Sequence, residues 1–60
     1  MTTTRFENIE VGEMFKRYGI TYTRIDPVTD GDGDDWNAIN LDHGVLAFFY
    51  NEDWVDSWGE

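Results

Sequence analysis

The chain has 60 residues, a net charge of −9 and no cysteine. Disulfides and thiolate zinc sites are therefore excluded, and the single histidine, His43, leaves little for an imidazole-based metal centre. One domain spanning residues 1–60 is expected, and at this length only about 60% of the unfolded chain's surface is buried on folding.

Stability must then come from apolar packing, and the chain supplies ten aromatic residues for it. Each can bury roughly 150–250 Å², so a few can build a core where a leucine-based one would be thin. No run approaches the roughly 20 apolar residues of a membrane span. The stretch Met1 to Arg5 lacks the apolar segment of a secretory signal. The cytoplasm of the cell that makes it is the default location.

The first five residues read as a loose tail. Phe6 to Val11 places apolar residues at 6, 9 and 11 before Gly12. Glu13 to Tyr18 reads as a strand, Gly19 as the pivot of a tight hairpin, and Ile20 to Ile25 as a β-branched strand. Asp26-Pro27 is expected to end that strand and open the longest loop, Val28 to Asp35. Trp36 to Leu41 is the next strand, and Asp42-His43-Gly44 a turn. The apolar run Val45 to Tyr50 is expected to be the central strand, covered on both faces. After a turn at Asn51 to Asp53, Trp54 to Trp58 reads as a last edge strand with Trp54, Asp56 and Trp58 on one face. A helix over the last ten residues is the alternative there. The sum is a mostly β fold of four or five short strands, as one small antiparallel sheet or an SH3-like barrel.

Charge is distributed unevenly. Arg5, Lys16, Arg17 and Arg24 all lie in the first 24 positions, where three glutamates reduce the sum to +1. From Ile25 onward there are ten acids and no base. Phosphates and anionic membranes would be repelled, so neither nucleic acid nor a membrane is the expected partner. A basic protein surface is, because complementary potentials speed encounter and select partners. The alternative explanation is solubility alone.

The Asp30, Asp32, Asp34 spacing matches the first, third and fifth positions of an EF-hand loop. Asp35 and Leu41 then stand where that loop needs Gly and Glu, and the flanks read as strands. No EF-hand, no metal site and no cofactor is therefore expected, with a looser divalent-cation site at Asp30 to Asp35 and a merely solvated loop as the alternatives. The other reading is a row of carboxylates in place of phosphates. Catalysis finds no motif: His43 beside Asp42 is a turn residue, Ser57 is remote, and a general acid needs a pocket that raises its pKa. Phe48, Phe49, Tyr50, Trp54 and Trp58 suit either a core or an interface, with one of the two tryptophans expected exposed.

The string Phe6-x-x-Ile9-x-Val11-Gly12-x-x-Phe15, with Gly19, Tyr22, Arg24 and then Asn37-Ala38-Ile39-x-Leu41-x-x-Gly44, resembles many short proteins of bacteriophages. That resemblance implies a small β domain and no particular activity. In size, acidity and lack of cysteine the chain also resembles phage DNA mimics, among them inhibitors of uracil-DNA glycosylase. Those inhibitors set carboxylates at phosphate positions and hold an apolar wedge of the enzyme in a hydrophobic pocket. Some carry Glu-Ser-Ile on an edge strand, and Glu7-Asn8-Ile9 is similar to it at Glu7 and Ile9. The resemblance implies an inhibitor of a basic, DNA-binding host protein rather than an enzyme. Its expected contacts are Glu7, Ile9, Asp30, Asp32, Asp34, Asp35, Glu52, Asp53 and Asp56, with Trp54 and Phe48 or Phe49 as apolar anchors. The alternative is a small phage structural or accessory module, acidic only for solubility and open to homodimer formation.

Overall fold

The tight turn at Tyr18-Gly19 organises the middle of the chain. Both residues have positive φ, 53° and 78°, the conformation that a two-residue hairpin between right-twisted strands requires. It pairs Arg17 with Ile20 and joins β2 (Met14–Arg17) to β3 (Ile20–Thr29). The computed structural model describes residues 1–58 and shows one antiparallel sheet of six strands. The others are β1 (Thr2–Arg5), β4 (Asp35–Asn40), β5 (Val45–Ala47) and β6 (Trp54–Ser57), in the spatial order β1-β6-β2-β3-β4-β5. The mostly β, single-sheet expectation holds, in its open-sheet form, with six strands where four or five were expected. Among the described residues no helix is long and apolar enough to cross a membrane.

Several strands differ from the sequence reading. Thr2–Arg5 is no loose tail but an edge strand, pairing Thr4 with Val55 and Arg5 with Trp54. As a result β6 lies inside the sheet, between β1 and β2, and is not an edge. Val45 to Tyr50 is not the central strand. Its first three residues form the edge strand β5, after which the chain leaves the sheet. β3 continues past Asp26-Pro27 to Thr29 with a register irregularity between Arg24 and Val28. Proline is tolerated there because the irregular register needs no N–H from it. The loop shortens to the turn that Asp30 N–H and Asp34 C=O close at 2.9 Å.

One face of the sheet carries the core. Phe15, Ala38 and Val55 project from it, with Tyr22 and Ala47 partly buried beside them. The cover is not a second sheet. It is a 3-10 turn at Phe6–Asn8, which delivers Phe6 and Ile9, and the segment after β5, which delivers Phe49. Asn37 fixes that segment with two bonds: its Nδ2 donates to Phe49 C=O at 2.8 Å, and its Oδ1 accepts from Phe49 N–H at 2.9 Å. The rings of Phe6, Phe15, Tyr22 and Phe49 meet at 4.9–5.5 Å between centroids. Among the described residues no segment covers the opposite face of the sheet, where Met14, Leu46 and Trp54 are exposed.

Candidate functional site: an acidic hairpin and a bare sheet face

Beyond Arg24 the β3–β4 pair runs on without β2 beside it, as a two-stranded arm. Asp26, Asp30, Asp32, Asp34 and Asp35 lie on this arm and its turn, with no base. The arm forms because Asp30 organises its turn. Asp30 Oδ1 accepts from the backbone N–H groups of Asp32 (2.8 Å) and Asp34 (3.0 Å), and Oδ2 accepts from Trp36 Nε1–H at 2.7 Å. Asp35 accepts from the Thr29 hydroxyl at 2.7 Å. Asp32 and Asp34 are exposed, and carboxylate oxygens of Asp30, Asp32 and Asp34 lie within 4.8 Å of one another. The arrangement concentrates negative potential at one tip of the molecule. Asp30 is thus a structural residue of the tip, and Asp32 and Asp34 are its free-standing carboxylates.

The Asp30 carboxyl is held below its ordinary pKa, first by the Trp36 indole N–H and then by the backbone donors. A depressed carboxylate pKa adds stability that is present above the unfolded-state value and lost as pH falls through the folded one. Asp30→Asn keeps an Oδ1 acceptor but turns a donor toward Trp36. The variant should melt below the wild type at neutral pH, with the gap closing as pH falls below about 4. Thermal melts of both proteins across that range check this.

The remaining expected contacts are dispersed. Glu7 is exposed on the 3-10 turn, but Ile9 is only 2% exposed and belongs to the core. Glu7-Asn8-Ile9 is therefore not an edge-strand motif, and Ile9 is removed from the binding set. Its apolar spacing with Phe6 served the cover of the sheet. Phe49 is also core, whereas its neighbour Phe48 is exposed and meets Tyr50 edge-on at 5.0 Å. Glu52 is exposed in the turn before β6. Asp53 is engaged internally, accepting from Tyr50 N–H at 2.9 Å and pairing with Arg17 at 3.5 Å. The Arg17 guanidinium, bonded to the Tyr18 hydroxyl and this carboxylate, is held more firmly charged. Asp56 accepts from the Thr3 hydroxyl at 3.0 Å.

Trp54 and Trp58 are both exposed, not one of the two. Each carries a cation on its ring: Arg5 lies 5.0 Å from the Trp54 centroid and Lys16 lies 5.5 Å from that of Trp58. A shallow cleft of about 160 Å³ lies here, with Thr3, Lys16, Tyr18, Trp54 and Asp56 in its lining. The sequence reading missed this basic and aromatic corner because the bases are far from the tryptophans along the chain. The strand order brings them together. No protein-family model, no curated protein and no solved structure matches this chain.

Proposed function

We propose that this protein is an acidic DNA mimic that blocks a basic, DNA-binding host protein. The observation that carries this reading is the ten acids without a base after Arg24, five of them on one projecting arm. Of the four bases, Arg17 is tied to Asp53, and Arg24 is turned onto backbone carbonyls of the covering turn. None of the four bases lies on the arm itself. Asp32, Asp34 and Glu52 stand in for phosphates, with Asp30 and Asp35 fixing the arm that presents two of them. Exposed Phe48 supplies apolar contact. A uracil-DNA glycosylase is the first target to test, as a basic enzyme whose groove accepts a duplex.

The test is capture from a bacterial lysate on the immobilised protein, followed by elution with duplex DNA. One DNA-binding enzyme released by DNA is the expected outcome. Its affinity should fall at least about tenfold between roughly 50 and 500 mM salt, because the encounter is electrostatic. The double variant Asp32→Asn/Asp34→Asn should weaken it further while leaving the turn intact. Affinity that is flat with salt would remove the mimicry reading and leave a structural module that is acidic for solubility.

A further inference from the structure

We infer that the uncovered face of the sheet is a self-association surface, on which a second copy of this chain packs as the missing layer of a sandwich. An antiparallel sheet can leave one face to water, but among the described residues the uncovered face here carries large exposed apolar side chains. The register sets Met14, Thr23, Ile39 and Leu46 in one row across four adjacent strands. Trp58, whose ring lies under Lys16, continues that row past β6, and Trp54 stands two residue pairs away on β6. Trp54 is 56% exposed, Trp58 44%, Met14 43% and Leu46 40%. A row of this kind, apolar except at Thr23, marks an interaction surface more than scattered single residues do.

Charge selects the occupant. Over β1, β6 and β2 the charged side chains on this face are Arg5, Lys16 and Asp56, two bases and one acid. A molecule of net charge −9 therefore has one broad surface without a negative excess. Two copies can meet there while their acidic arms stay outside the contact, since the row lies within the part of β3 that β2 still flanks. A basic partner would find no acid-rich surface on this face, and nucleic acid would have to approach a strongly anionic protein. Such a contact is also isologous, because the same patch serves both copies.

Size sets the strength. Six strands about 4.8 Å apart and about four residues long give a footprint of roughly 24 by 13 Å. Two such faces cover roughly 600 Å² in total, below the standard size of specific interfaces. The dimer is therefore weak and concentration-dependent. It also strengthens with salt, because screening reduces repulsion between two anionic copies. That sign is opposite to the one expected for the blocked target, so failure of either reading is distinguishable from failure of the other.

The experiment is sedimentation velocity from about 5 μM to about 1 mM at roughly 50 and 500 mM salt, the range over which screening changes most. A monomer that converts to dimer with concentration, more readily at high salt, is expected. Met14→Lys and Leu46→Lys, each checked for an unchanged circular dichroism spectrum, should raise the dimer dissociation constant at least about tenfold. A wild type that stays monomeric throughout overturns the inference. So does a dimer indifferent to both folded variants, which would instead be joined at the β1 or β5 edge.

Discussion

Phe15→Ala is expected to leave the protein unfolded, or nearly so, at room temperature. Phe15 is fully buried. Its ring lies 5.5 Å from Phe6, 5.4 Å from Tyr22 and 5.2 Å from Phe49 between centroids. Two of those partners come from the covering segments and one from β3, so Phe15 joins cover to sheet. Truncating a buried phenylalanine costs about 3–5 kcal/mol. At about 0.05–0.15 kcal/mol per residue, a chain of this length has roughly 3–9 kcal/mol in total. No disulfide exists to offset the loss. Urea denaturation followed by circular dichroism should show Phe15→Ala without a native baseline, and Phe15→Leu with a reduced but cooperative transition. A cooperative Phe15→Ala protein with a near-native midpoint would mean that the ring cluster does not organise the core.

The β-rich character and the Gly19 hairpin were legible in the sequence for local reasons. Gly19 supplies positive φ beside a β-branched run, and both signals act over neighbouring residues. What failed required knowing the strand order. Val45 to Tyr50 is an unbroken apolar run, and such runs suit buried strands. Here the run is divided: Val45 and Leu46 form an exposed edge, Phe48 points to solvent, and Phe49 alone enters the core. The Asn37 amide causes that division by capturing the Phe49 backbone, and nothing in the run itself announces it. Thr2 to Thr4 had the β-branched signature of a strand, but no apolar alternation to draw attention to it. The acidic tip was legible in composition, since the four aspartates from Asp30 to Asp35, separated only by glycines, have nowhere to be buried. That Asp30 is the turn's organiser, and Asp32 and Asp34 its free charges, depends on a bond to Trp36 that only the folded hairpin shows.

Arg24→Met is expected to be the second most damaging change, although it removes a charge from a protein with few bases. Arg24 lies opposite Ala38 on the covered face. Its Nη1 donates to the carbonyls of Phe6 and Ile9, and its guanidinium sits 4.5 Å from the Phe6 ring centroid. This side chain ties the carbonyls of the 3-10 turn to the sheet, while the Phe6 and Glu7 N–H groups donate to Asp53 C=O (2.8 Å) and Asn51 C=O (3.2 Å). Methionine preserves the stem's packing but leaves both carbonyls without that donor. Losing hydrogen bonds to a charged group costs about 1.5–3 kcal/mol each, and part of this returns through water at the margin of the turn, so a net loss of about 2–4 kcal/mol is expected. Arg24→Lys should recover only part of it, because an ammonium cannot reproduce the planar fork and its stacking on Phe6. Urea midpoints rank the three proteins. Amide exchange at Ile9, whose N–H donates to Phe6 C=O at 2.9 Å, reports whether the turn itself loosens. An Arg24→Met protein with wild-type stability and protected Ile9 exchange would show that the Phe6 and Ile9 side chains alone seat the cover. If exchange quickens at Ile9 while the sheet amides stay protected, Arg24 acts as a latch.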